Sequence, residues 1–400
     1  MFSHVTRLAD CGPRHPQSAG DLAARAYLMR QAADMGLCAW TLPAQVNAFV
    51  PGPASLTVAS SPARTLECLA QDRSGATGPE GVHARIVYVG LGRPEDYTGI
   101  DTAGAIVLQE IWGLHMTLKV AHAHAHGAVG CVWIHDHPGG HRSAWGLGAE
   151  PSPIPVVSVS QEDGRWLQGC AAAAPLLATL RCSVQTSPAT SDNVLIRLPA
   201  SGTPVRGPVL LVAHRDTTHV SPGANDNASG CAVVLEILEA MRDARLPFDL
   251  VGLFTTAEEG GGIGIRQIAA QLAAGDYGAP DSCGPLDPPS LAFDLDMLAV
   301  GGPLRLVTGS AVRETAADLN ALLRQSAGEL GYYLEDYVCP MGLADAGPLL
   351  EVDIPTTWLF KPDDPRFHTT EDTAAHVNPN DMKVAADIVC RALAHIGGVW

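Results

Sequence analysis

Residues 209–230, VLLVAHRDTTHVSPGANDNASG, constrain the chain more than any other stretch. The apolar run Val209-Leu210-Leu211-Val212-Ala213 stops at His214-Arg215-Asp216, a Pro/Gly loop follows, and Asp226-Asn227 opens the apolar-periodic segment CAVVLEILEAM. That pattern predicts a buried strand, a loop, and a helix over 227–244 with Asp226 or Asn227 near its N-cap. Open α/β sheets place ligands where parallel strands deliver polar residues at their C-terminal ends. An imidazole and a carboxylate at such an end are natural ligands for a hydrolytic metal. A packed strand-end His beside a helix-capping Asp would read the same in this stretch alone, so the rest of the chain must decide.

Four hundred residues exceed one ordinary core and point to two domains, or to one large domain with an insertion. Hydrophobic content of 46% with 41 Gly and 30 Pro describes a turn-rich globular chain without a disorder signature. The net charge of −17 argues against nucleic acid and against an anionic membrane surface as partners. Ten cysteines (11, 38, 68, 131, 170, 182, 231, 283, 339 and 390) are scattered singly with no CxxC spacing. They read as reduced, mostly buried thiols of a cytoplasmic protein. The opening MFSHVTRLADCGPRH lacks an apolar h-region, and no apolar run is long enough to span a bilayer. The expectation is a soluble cytoplasmic protein with no signal peptide.

Along the chain, residues 3–9 and 21–35 read as helices around the turn CGPRHPQSAGD, and 39–46 as a strand. Arg14 and His15 in that turn are expected to be solvated. From about 46 to 188 the texture changes to short β-branched runs, ARIVYVGLG, GAIVLQEI, GAVGCVWIHD and IPVVSVS, broken by Gly, Pro and Ser. This predicts an inserted mixed-β domain at 46–188 between an N-terminal part at 1–45 and a main domain at 189–400, with PATSDN (188–193) as the linker back. Within the insert, His122, His124 and His126 lie on a predicted helix, which places His122 beside His126 and turns His124 away. They are expected to be solvated or packed, while His135, His137 and His141 keep a secondary metal site open.

After the linker, strands at 208–213, 249–256, 291–300, 304–309 and 354–360 alternate with helices, including 314–330 and 380–397, which implies a mostly parallel sheet. Three of its strands end in loaded residues: His214 with Asp216, Glu258 with Glu259, and Asp294 with Asp296. Phe367-His368-Thr369-Thr370-Glu371-Asp372 follows the last inner strand. Two metal ions need oxygen and imidazole ligands converging from several elements, with a carboxylate bridging them. A Glu-Glu pair can then divide the labour, one member binding metal and the other shuttling a proton.

AHRDTTHVSPGANDNASG, AEEGG, FDLDM and FHTTEDT, in that order, resemble the dizinc aminopeptidase family of metallopeptidases, of which glutamate carboxypeptidase and the transferrin receptor are distant relatives. CGPRHPQSAGDLAARAYL and GLADAGPLLEVDIPTT resemble further stretches of the same family, and the insert resembles a protease-associated domain. The resemblance implies an α/β, three-layer zinc-exopeptidase fold with a mostly parallel mixed sheet. It also implies two zinc ions per chain. Asp226 would bridge them, with His214 and Asp296 completing one site and Glu259 and His368 the other. Glu258 would be the general base acting on a bridging water, and Asp216 would orient His214 from behind. The Asp226–Asn227 peptide would be cis. Asp294 shares a strand face with Asp296, and the match to the family's Asp-Met selects Asp296.

Two departures stand out. Phe367 occupies the place of a family Tyr that helps hold the oxyanion, leaving zinc alone or Tyr332, Tyr333 or Tyr337 for that task. The text after the Glu pair, GGGIGIRQ, departs from the family's usual turn beside Glu259. The implied partner is a peptide substrate cleaved from its amino end, with homo-oligomer contacts through the insert left open. A carboxypeptidase or N-acyl amino acid hydrolase on the same core is the alternative. It would need a cationic anchor, for which Arg142, Arg215, Arg266, Lys361 and Arg366 are candidates. A catalytically silent binding protein should have lost ligands, and here none is missing.

Overall fold

The computed structural model describes residues 1–148 and 150–398. It opens with helices α1 (Phe2–Ala9) and α2 (Ala19–Asp34). Ser18 caps α2 by accepting the Asp21 N–H. Strand β1 (Cys38–Val58) then runs for 21 residues. It is followed by β2 (Arg64–Ala70), β3 (Val82–Tyr88), β4 (Ile106–Glu110), helix α3 (Met116–Ala125), β5 (Gly130–Ile134), β6 (Val156–Val159) and helix α4 (Gln161–Ala173). The chain returns along β7 (Leu177–Leu198), which pairs antiparallel with β1 over almost its whole length.

The predicted linker PATSDN is therefore strand, not loop: Pro188 faces Asn47 and Asn193 faces Leu42 across the ladder. Among the described residues no strand pairs with the other side of β7 over 186–192, so Pro188 removes no ladder hydrogen bond from a central strand. Around the insert the strand order β1-β2-β6-β5-β4-β3-β7 closes on itself through the β1–β7 pairing. Leu56, Ile106, Val132, Val157 and Leu180 fill its core.

The main lobe adds β8 (Val209–His214), α5 (Gly230–Ala240), β9 (Leu250–Thr255), α6 (Ile263–Ala273), β10 (Leu291–Asp296), β11 (Arg305–Ser310), α7 (Ala317–Glu329), β12 (Glu335–Cys339), α8 (Ala346–Glu351), β13 (Thr356–Phe360) and α9 (Pro379–Gly397). β9, β8, β10 and β13 lie side by side and parallel, with β7 antiparallel at one flank and β11 at the other. All six residues of β8, β9 and β10 are buried, as expected for strands covered on both faces. α1, α5, α7 and α9 cover one face, where Leu8, Val234, Leu323 and Val389 share a core. α6 and α8 cover the other, around Leu210, Ile268 and Leu349. The result is three layers with helices on both sides of one sheet.

The helix expected from residue 227 begins at Gly230. Residues 224–229 are wound more widely, with Asp226 and Asn227 outside helical dihedrals and a cis bond between them. Asp226 is thus held ahead of α5 rather than capping it. The strand at 335–339 and the helices at 161–173 and 346–351 had no clear signal in sequence. Cys38 and Cys283 form a disulfide, with Cα atoms 5.7 Å apart, so the reading of reduced thiols fails for this pair and holds for the other eight. The partners are 245 residues apart, and no local spacing could have revealed them. Among the described residues no helix is long and apolar enough to cross a membrane.

Candidate active site

The parallel strands bring their C-terminal ends to one edge, and five side chains meet there. His214, the last residue of β8, points Nε2 at Asp226 Oδ1 (3.0 Å) and Asp296 Oδ1 (3.3 Å). Its Nδ1 lies 3.1 Å from the Asp216 carbonyl, which fixes the tautomer that frees Nε2. His368 Nε2 lies 2.8 Å from Glu259 Oε2 and 3.1 Å from Asp226 Oδ2. Asp226 thus stands in the middle, one oxygen turned toward each imidazole.

Asp226 is placed by its neighbours. Asp372 accepts the N–H groups of Asn225 (2.7 Å) and Asp226 (3.0 Å). The Asn225 side chain bonds Asp364 and accepts from Ala299 N–H, while Asn227 bonds the Leu295 carbonyl and accepts from Met297 and Gly230 N–H. Both asparagines therefore tie the loop to the end of β10, which presents Asp296 to Asp226. Gly230 permits the approach, because a Cβ there would sit 2.0 Å from the Leu295 carbonyl oxygen.

Asp216 acts on more than His214. Its carboxylate lies 3.8 Å from His214 Nδ1 but accepts the backbone N–H of Glu258 (3.1 Å) and Glu259 (3.3 Å). It therefore positions the Glu pair as well. Asp294 points elsewhere, accepting the Ala346 N–H at 2.9 Å.

Packing this much charge into the interior shifts its protons. Burial, reinforced by Asp345 and Glu259 against the pull of His214, holds the Glu258 carboxyl well above its usual range. Burial likewise raises Glu259 to about 8. Burial opposes charge on His368, but Glu259 and Asp226 outweigh it and lift the imidazole to about 10. Glu259 Oε1 is buried with no hydrogen-bond partner. Ligand atoms of His214, Asp226 and Glu259 lie within 4.8 Å of one another. This imidazole–carboxylate donor set suits a divalent metal of the zinc class.

The site opens into a cavity of about 540 Å³ walled by both lobes. Trp145 of the insert packs its ring 4.5 Å from His368, and Ala144 N–H donates to the His368 carbonyl. Phe367 packs against both, 3.8 Å from the His368 ring and 5.3 Å from that of Trp145. Trp112, Met116, Met297, Met341 and Trp358 complete an apolar wall. Of the three tyrosines considered for the oxyanion, Tyr337 lines the cavity, Tyr332 bonds Asp387, and Tyr333 lies exposed. In the Gly-rich turn after the Glu pair, Gly261 and Gly262 N–H both donate to the Glu258 carbonyl and Gly261 lines the cavity.

The profile of Peptidase family M28 matches residues 193–393, half of the chain, and that of the PA domain matches 63–167. The chain belongs to peptidase family M28. Aminopeptidase YwaD of Bacillus subtilis is 26% identical over 345 residues, spanning 84% of this chain and 71% of the relative. The aminopeptidase of Aneurinibacillus sp. strain AM-1 shares the fold at TM-score 0.76 and 24% identity, over 98% of this chain and 92% of that one. BSAP, a zinc aminopeptidase from Bacillus subtilis, does so at 0.75 and 23%, over 99% and 94%.

Several residues that serve this M28 centre escaped sequence reasoning. Arg14, expected in solvent, is wholly buried. Its guanidinium donates to the carbonyls of Arg215 (2.7 Å), Leu8 (3.2 Å), Gly223 (2.8 Å) and Pro222, and its N–H to Thr217 Oγ1. It sets the course of the loop between β8 and α5 from the N-terminal segment. Asp72 of the insert bonds His219 of the same loop. Asp372 stood in the quoted FHTTEDT stretch, but nothing local marks a carboxylate that accepts from backbone elsewhere. His122 bonds the Gly92 carbonyl and His126 stacks on Tyr97, which gives this helix a packing role.

Proposed function

We propose that this M28 protein is a zinc aminopeptidase that removes residues from the free amino end of peptides through a dinuclear centre. The observation that carries this reading is the charge of the cavity wall. Asp136, Asp226, Glu258, Glu259, Asp296, Asp363 and Asp364 line it, and among the described residues no Lys or Arg does. A substrate ammonium finds acidic partners there, whereas a substrate carboxylate finds neither of those cationic anchors. The cationic anchors that a carboxypeptidase or N-acyl hydrolase would need are engaged elsewhere. Arg215 pairs with Asp21, Arg142 with Glu67, Arg266 with Glu351 and Lys361 with Asp381, and Arg366 is not part of the wall.

His214, Asp226 and Asp296 would hold one zinc and Asp226, Glu259 and His368 the other. Bound there, the pair would supply Lewis-acid polarisation of the scissile carbonyl and acidify a water. Glu258 would take the proton from the attacking water and deliver it to the leaving amine. Asp216 keeps Glu258 aimed through the backbone bond. Trp145, Phe367 and Trp112 exclude water from the reacting end and give the terminal side chain an apolar surface.

The test pairs metal analysis with two substrates. Protein purified without added metal should carry about two zinc per chain, lose activity on chelation and regain it with zinc. It should cleave a peptide with a free amine and leave the N-acetylated version intact. Equal cleavage of both would reject the aminopeptidase reading, and activity untouched by chelation would reject the metal.

A further inference from the structure

We propose that the turn His135-Asp136-His137, with His141, is a separate binding site for a divalent transition-metal cation of the zinc class. The turn follows directly from β5, which ends at Ile134 inside the insert. One ligand atom from each of His135, Asp136 and His137 lies within 4.8 Å of the others. Asp136 Oδ1 is 3.6 Å from His135 Nδ1, and Asp136 Oδ2 is 3.0 Å from His137 Nδ1. Ligands held about 2.0–2.2 Å from one zinc-type ion stand roughly 3–4 Å apart, so these separations need little adjustment.

His135 is only 2% exposed, and Nδ1, the nitrogen facing Asp136, also meets Ser143 Oγ at 3.2 Å, which holds that edge of the ring toward the turn. His141 brings a third imidazole, its ring centroid 6.4 Å from that of His135.

The turn is also held in shape. Trp112 Nε1–H donates to the Asp136 carboxylate, and Gln161 Nε2–H donates to the Asp136 carbonyl. Glu162 accepts the N–H groups of Gly139 (2.8 Å) and Gly140 (3.3 Å), fixing the Gly-Gly bend that leads to His141. Outer contacts of this kind orient the groups that bind a metal. Imidazoles with one carboxylate select zinc, cobalt, nickel or copper over calcium or magnesium.

This site shares no ligand with the main centre, but Asp136 and His137 also line the cavity. A cation there adds positive charge to the wall that receives the substrate. On the aminopeptidase reading, it opposes entry of the ammonium, so excess zinc raises KM.

The experiment is a zinc titration of the metal-free full-length protein against a chromophoric chelator, comparing wild type with His137→Ala and Asp136→Asn. The His137 side chain is 45% exposed, so its removal leaves the fold in place, and Asp136→Asn preserves volume. Wild type is expected to take up one more zinc per chain than either variant, with the corresponding cobalt(II) absorption lost in both. Equal counts and equal spectra in all three proteins overturn the proposal. The readout is a difference between proteins, so a failure of the dinuclear reading appears separately, in the total. Zinc inhibition should weaken in His137→Ala, and inhibition identical to wild type would also count against the site.

Discussion

Glu258 and Asp226 lie close together in the same pocket, yet they fail differently when changed. Glu258 contacts no imidazole of the cluster, whereas Asp226 lies within about 3 Å of two. Glu258→Gln should therefore retain zinc and lose turnover by roughly 10²–10⁴-fold, the usual contribution of a general base. Asp226→Ala should lose metal itself. Metal analysis alongside kcat on both variants decides the matter, and a Glu258→Gln enzyme of near-normal kcat would remove Glu258 from the reaction. At this scale His214, Asp216, Glu258, Glu259 and Asp296 were legible because each falls at or within a few residues of a strand end, whereas Asp226 and His368 lie 12 and 8 residues beyond theirs. What the sequence could not convey was the work of Asp216. Two residues from His214 it reads as that imidazole's partner, but its oxygens reach the Glu258 and Glu259 amides 42 and 43 positions away.

Among elements, the loop between β8 and α5 depends most on distant chain. Arg14 supplies its guanidinium to four carbonyls, three of them within residues 215–223. Arg14→Met keeps much of the volume and strands those acceptors in a buried place. At about 1–3 kcal/mol for an unsatisfied buried group, partly relieved by relaxation, the loss should reach roughly 3 kcal/mol. A denaturant midpoint unchanged in the variant would show that the loop stands without it. The parallel strands were readable here because their uninterrupted apolar runs need cover on both faces. The 21-residue β1 was read only over 39–46, where buried residues alternate with more open ones; farther out the alternation lapses and Pro51 and Pro53 look like breaks. The start of α5 was misplaced for a related reason. Asp226 and Asn227 resemble caps, but Asp226 faces the two imidazoles and Asn227 bonds across to the end of β10.

Across the whole molecule, the lobes meet at the reacting centre. Gly146 of the insert lies so close to the Glu259 carbonyl that a Cβ would fall 1.8 Å from its oxygen. Gly146→Ala must push the insert away from Glu259, or push Glu259 away from His368. Displacements of about 1 Å near a reacting centre cost up to 100-fold, so kcat/KM should fall at least tenfold with the overall fold intact by circular dichroism. Wild-type kinetics in this variant would mean that the insert is only a neighbour. No local pattern in sequence announces this contact, which joins segments more than a hundred residues apart.

The ribbon of β1 and β7 leaves the main lobe and returns to it as a paired ladder whose register shifts between Pro51 and Ala54. Swinging the insert aside would bend that ribbon and part Trp145 from His368. On the proposed aminopeptidase reading, a chain end enters a cavity walled partly by Trp112 and Trp145 of the insert, so the insert takes part in choosing what is cut.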